Sequence, residues 1–185
     1  MKYIFPSLVV LGLLAGCSNS KTAEPAETTS VPPPAVQPVV APVNPPAAPS
    51  TAMALPSFNM LNARNQVIDL RQFAGKKVFV NLWATWCPPC RAEIPSIESL
   101  AAKTDKSKVE FVMLSLDDNF AKATAYATKN NMKQPVYYPA GNLPPLFTVD
   151  GIPVTFIFNE KGEIIFQQVG TANYDTPAFL DMLNK

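Results

Sequence analysis

The chain has 185 residues, 48% of them apolar, enough for one domain with a core of its own. Its 15 basic residues nearly balance its 14 acidic ones, which leaves no case for nucleic-acid binding. The absence of histidine excludes His-dependent triads, Cys-His proteases and the usual zinc or copper ligand sets, and three cysteines cannot form a four-cysteine zinc site.

In chain order, Lys2 precedes an apolar run, Tyr3 to Leu14, that ends in the small residues Ala15 and Gly16. Residues 1–16 therefore read as a secretory signal, too short to remain as a bilayer-spanning helix. Leu14-Ala15-Gly16-Cys17 resembles the lipobox of bacterial lipoproteins. That resemblance implies cleavage before Cys17, lipidation of Cys17, and a domain anchored in the bacterial envelope facing the periplasm. Ser18, in place of an aspartate, favours the outer membrane over the inner. The alternative is an ordinary signal peptide followed by an incidental cysteine. Loss of Lys2 with the signal leaves 15 − 1 = 14 basic residues against 14 acidic ones.

Residues 17–57 follow as a spacer. From Ser18 to Pro56 it is rich in Pro, Ala, Val, Ser and Thr, lacks glycine and aromatic residues, and carries only Lys21, Glu24 and Glu27 as charges. Such a composition builds no core and is expected to be disordered. Proline clusters favour extended polyproline conformations at roughly 3.1 Å per residue, giving a semi-stiff reach on the order of 100 Å.

The folded part is expected over residues 58–185. Phe58 to Leu70, with turn residues Asn62 to Asn65, predicts a β-hairpin extension. Lys77 to Trp83 predicts a buried strand, and Ile94, Ile97, Leu100 and Ala101 give Cys87 to Lys103 helical spacing. A strand is expected over 109–116, a helix over 120–130 ending at Asn130-Asn131, and a short strand over 136–138. Two further strands, 154–158 and 163–169, flank a turn at Asn159-Glu160-Lys161-Gly162, with Gly162 suited to positive φ. Thr176-Pro177 reads as an N-cap followed by proline at the first helical position. Strands alternating with helices predict an α/β fold, a central mixed sheet flanked by helices on both faces.

With Cys17 assigned to lipid, Cys87 and Cys90 are the only cysteines left for the domain, in a compartment where they can oxidise. A thiol at a helix N-terminus meets unpaired N–H groups and the helix dipole, which favour the thiolate; Cys87 is placed for this. Cys90, one turn later, is placed to attack a mixed disulfide formed by Cys87. A purely structural disulfide closing so short a loop would add little stability. Redox exchange is the expected chemistry.

From Phe58 onward the chain resembles thioredoxin-fold proteins of the TlpA/ResA family of envelope thiol-disulfide oxidoreductases. The resemblance rests on Asn81-Leu82-Trp83-Ala84-Thr85-Trp86-Cys87-Pro88-Pro89-Cys90-Arg91-Ala92-Glu93-Ile94-Pro95 and Gly151-Ile152-Pro153-Val154-Thr155-Phe156. It implies a thioredoxin-like fold, Cys87 as nucleophile and Cys90 as buried resolving thiol. Glu93 is implied as the acid that exchanges a proton with Cys90; a first-turn glutamate favoured by the helix dipole is the other reading. Asn81 stands where thioredoxins proper carry a buried aspartate. Trp86, Pro88, Pro89, Ile152 and a cis Pro153 are implied at the substrate-docking surface, while a trans proline at a strand start is the alternative for Pro153. Trp83 is expected in the core and Pro95 as a helix kink. Asp117 and Asp118 are expected to be solvated caps of the following helix.

The expected function is reduction of disulfides in exported proteins, with cytochrome c maturation as one setting, by a monomer whose only redox group is the Cys87–Cys90 pair, with no metal or other cofactor. A reductase in the envelope implies a membrane donor of thiol electrons. The alternatives are a disulfide oxidase or isomerase, a non-enzymatic envelope lipoprotein, and a peroxiredoxin-like peroxidase. The last is disfavoured because Ala84, rather than threonine, lies three residues before Cys87.

Overall fold

The computed structural model describes residues 55–185; the expected signal peptide, Cys17 and nearly all of the spacer lie outside the described residues. The strands are β1 (Asn59–Asn62), β2 (Val67–Asp69), β3 (Lys77–Trp83), β4 (Val109–Ser115), β5 (Val136–Pro139), β6 (Val154–Phe158) and β7 (Ile164–Val169). The helices are α1 (Pro88–Ala102), α2 (Phe120–Lys129) and α3 (Pro177–Asn184), with short 3-10 turns at Leu70–Phe73 and Pro145–Phe147. All strands join one mixed sheet in the order β2-β1-β5-β4-β3-β6-β7. β3, β4 and β5 run parallel, and the remaining pairs are antiparallel.

The period-2 alternation of β3 divides the core. Phe79 and Trp83 face one apolar cluster, with Phe111 and Met113 of β4 and Ile157 of β6; Val78, Val80 and Leu82 face the other, with Val112, Leu114, Val154, Phe156 and Phe158. Parallel β3-β4-β5 pairing requires two crossovers in the same direction. Crossovers of one hand put α1 and α2 on the same face, and α3 joins them there.

The expectation of helices on both faces is therefore corrected in part. The second face is covered by Leu55 and Phe58, by Leu70 of the first 3-10 turn and by Phe147 of the second. These covering segments form only short 3-10 turns, Leu70–Phe73 and Pro145–Phe147, the latter opened by Pro144 and Pro145. The hairpin extension is present, its turn passing through Asn65 at φ 58°, and β1 also pairs with β5. Gly162 (φ 82°) and Asn131 (φ 55°) take the positive-φ positions at the β6–β7 turn and the end of α2. Thr176 is the N-cap residue of α3 but its side chain makes no capping hydrogen bond. Among the described residues no helix is long and apolar enough to cross a membrane.

Candidate active site

β3 ends at Trp83, and four residues later Cys87 is the N-cap of α1. Pro88 and Pro89 occupy the first two helical positions, so the first N–H able to reach the cap side chain is that of Cys90. It donates to Cys87 Sγ at 3.2 Å. Cys87 and Cys90 are joined as a disulfide with Cα atoms 5.3 Å apart. Both are buried, while Trp86 (63% exposed), Pro88 and Pro89 form an exposed rim around them. Opposite the rim, the Ile152-Pro153 peptide bond is cis, and the Ile152 carbonyl oxygen lies 3.8 Å from Cys87 Sγ. Trp86, Leu116, Val149, Asp150, Gly151 and Ile152 line a groove of about 440 Å³ beside the disulfide.

Behind the disulfide lies a buried polar network. Asn81 on β3 donates from Nδ2 to Glu93 Oε1 (2.8 Å) and to Thr155 Oγ1 (2.9 Å), and Tyr174 donates its hydroxyl to the same Thr155 oxygen (2.7 Å). The Ala172 N–H donates to Glu93 Oε2 (3.2 Å). Glu93 is 2% exposed. Burial raises its carboxyl from the ordinary 4.5 to about 6, although the Asn81 and Ala172 hydrogen bonds pull the other way. Burial also holds the Tyr174 phenol well above its ordinary range. The alternative reading of Glu93 as a first-turn glutamate favoured by the helix dipole is corrected: α1 begins at Pro88, so Glu93 lies in the second turn, and it is buried.

Asp117 is a second correction. Asp118 is exposed and pairs with Lys122, as a solvated residue should, and Asn119 is the N-cap of α2. Asp117 instead is buried at 4% exposure and bonded to Thr85, two residues before Cys87. Sequence reasoning also missed Thr155 and Tyr174. A signal existed for Thr155, which shares the sheet face of Ile157 and interrupts its apolar alternation just after Pro153; Tyr174, in irregular chain, offered none. Pro95 lies inside α1, and Trp83 is fully buried against Tyr126. Among the described residues no cluster of Cys, Asp or Glu side chains has the geometry to hold a metal ion.

The sequence profile of the Redoxin family matches residues 50–183. The chain belongs to the Redoxin family. This Redoxin chain is 28% identical over 116 residues to the thiol-disulfide oxidoreductase ResA of Bacillus anthracis, covering 62% of this chain and 67% of that protein. It is 33% identical over 118 residues to the thioredoxin-like protein YneN of Bacillus subtilis, covering 63% of this chain and 69% of the relative. The crystal structure of StoA from Bacillus subtilis superposes with a TM-score of 0.54 at 28% identity, covering 65% of this chain and 93% of that one. The Redoxin chain thus has a thioredoxin-like fold and sits among the TlpA/ResA thiol-disulfide oxidoreductases, its Cys87–Cys90 pair supplying the dithiol.

Proposed function

We propose that the protein is a thiol-disulfide oxidoreductase working as a reductant, with Cys87 as nucleophile and Cys90 as resolving thiol. The observation that carries this reading is the disulfide at the N-terminus of α1, with a single N–H, that of Cys90, donated to the Cys87 sulfur and the Ile152-Pro153 loop opposite. The Cys87 thiolate attacks one sulfur of a client disulfide, and the other client sulfur leaves and takes a proton. Cys90, passing its proton to Glu93, then attacks the Cys87 sulfur. The second client thiol leaves, and the pair is left oxidised for a membrane donor to reduce again.

Pro89, standing where an N–H donor would otherwise cap the Cys87 thiolate, leaves the reduced form less stabilised and favours electron donation. Trp86, Pro88 and Pro89 are exposed next to Cys87 and the Ile152 carbonyl faces its sulfur, so an extended client segment would dock across these residues and Pro153. Clients are disulfides of exported proteins, oxidised apocytochrome c cysteines among them, and the protein is held in the envelope by a lipid on Cys17, with the spacer setting its reach. The test is the reduction potential of the full chain in defined thiol buffers. A value near the roughly −270 mV of thioredoxin supports a donor; one near the roughly −120 mV of strong oxidants reverses the direction.

A further inference from the structure

We propose that Asp117 is a positioning residue that holds Cys87 in the geometry in which the disulfide closes, and so biases the pair toward donating electrons. Asp117 follows β4 by two residues and is buried, yet among the described residues it forms no ion pair. A carboxylate out of water is stable only where hydrogen bonds replace its hydration. Here three of the four come from one residue of the reactive loop. The Thr85 N–H reaches both carboxylate oxygens at 3.2 and 3.1 Å, and the Thr85 hydroxyl donates to Oδ1 at 2.6 Å. The Ser115 hydroxyl supplies the fourth at 2.8 Å, while its oxygen accepts the Asp117 N–H at 3.1 Å.

Thr85 lies between Trp83, whose carbonyl is tied to the Leu116 N–H at 2.8 Å, and Cys87, whose N–H bonds Ala84 O at 3.2 Å. The loop is thus held on the strand side by Asp117 and on the helix side by the bond to Cys90. Two restraints that favour one conformation reinforce each other by linkage: whatever holds the loop in place also favours closing the disulfide. This inference rests on the thiol-disulfide reading above, but its test compares variants with one another.

The experiment uses the full chain with Thr85→Val, Thr85→Ser, Asp117→Asn and the Thr85→Val/Asp117→Asn double variant. Each is equilibrated with glutathione buffers, and the reduced form is alkylated at Cys87 across a pH series. Thr85→Val and Asp117→Asn are each expected to shift the equilibrium toward the dithiol about fivefold, equal to about 20 mV less reducing, as loss of one net hydrogen bond would. Thr85→Ser, which keeps hydroxyl and N–H, should restore the native value, and the double variant should shift by less than the sum of the singles. Lowered melting temperatures with unchanged potentials and unchanged Cys87 alkylation profiles would reduce Asp117 to a structural support and overturn the proposal. If Asp117→Asn does not fold, the near-isosteric Thr85→Val against Thr85→Ser decides alone. A native potential at the oxidant end would overturn the reductase reading, while the differences among variants would still decide the role of Asp117.

Discussion

Glu93 shows most directly how burial sets chemistry. An exposed glutamate titrates near 4.5, but this one, taken out of water with only Asn81 Nδ2 and the Ala172 N–H to replace its hydration, titrates at about 6. It can thus take a proton from a thiol and return it close to neutral pH. The same shift has a stability consequence. Between 4.5 and 6 the native state binds more protons than the unfolded chain, so stability falls as pH rises through that window. The contribution is fully present below the ordinary value, lost above the raised one, and is worth about 2 kcal/mol. Glu93→Gln, which cannot ionise, should lose this slope. Thermal melts at a series of pH values should show the variant gaining on the native chain from about pH 4 to about pH 7. A constant difference would mean that Glu93 titrates like an exposed residue.

In the proposed reductant, the N-terminus of α1 would set how reducing the pair is. A helix start normally offers the cap side chain an N–H from its second or third residue; Pro89 removes the former and Cys90 supplies the latter. Pro89→Ala restores a donor aimed at the Cys87 sulfur. A hydrogen bond to a charged acceptor is worth about 1.5 kcal/mol or more, so the potential should rise by about 30 mV and the pKa of the Cys87 thiol should fall. Glutathione equilibration together with the pH dependence of alkylation checks both. The chain between β7 and α3 matters to the same helix. Ala172 bonds Glu93, the Tyr174 N–H bonds Ser96 Oγ (3.1 Å), and Asp175 accepts from Ser99 and Lys103. α1 is thus gripped along its length by a segment about eighty residues downstream.

For the molecule as a whole, the sheet brings together three loops that sequence separates widely: residues 84–87, residues 116–119 and the Ile152-Pro153 turn. Parallel β3 and β4 end in register, Trp83 opposite Ser115, which is why Asp117 can reach Thr85. Antiparallel β6 begins beside the end of β3, Val154 opposite Leu82, which sets the cis-proline loop against Cys87. The proposed anchor belongs to this scale, because a tethered reductase meets its donor only within the reach of its spacer. Growth with a labelled fatty acid should label the native protein and not Cys17→Ala; equal labelling of both would exclude lipidation at this cysteine.

The sequence by itself determined the strand and helix order, the Cys87–Cys90 pair at a helix start, the turns at Asn65 and Gly162, and the buried strand β3. Each of these is a local property: period-2 or helical spacing, the missing N–H of proline, the tolerance of Gly and Asn for positive φ. The tertiary structure alone decided that all three helices share one face, that Glu93 is buried and Asp117 is not a solvated cap, and that Thr155 and Tyr174 complete the network behind the disulfide. Those facts depend on register and on which distant segments meet. The same carboxylate is a helix cap in water or a buried hydrogen-bond acceptor according to what the sheet brings beside it.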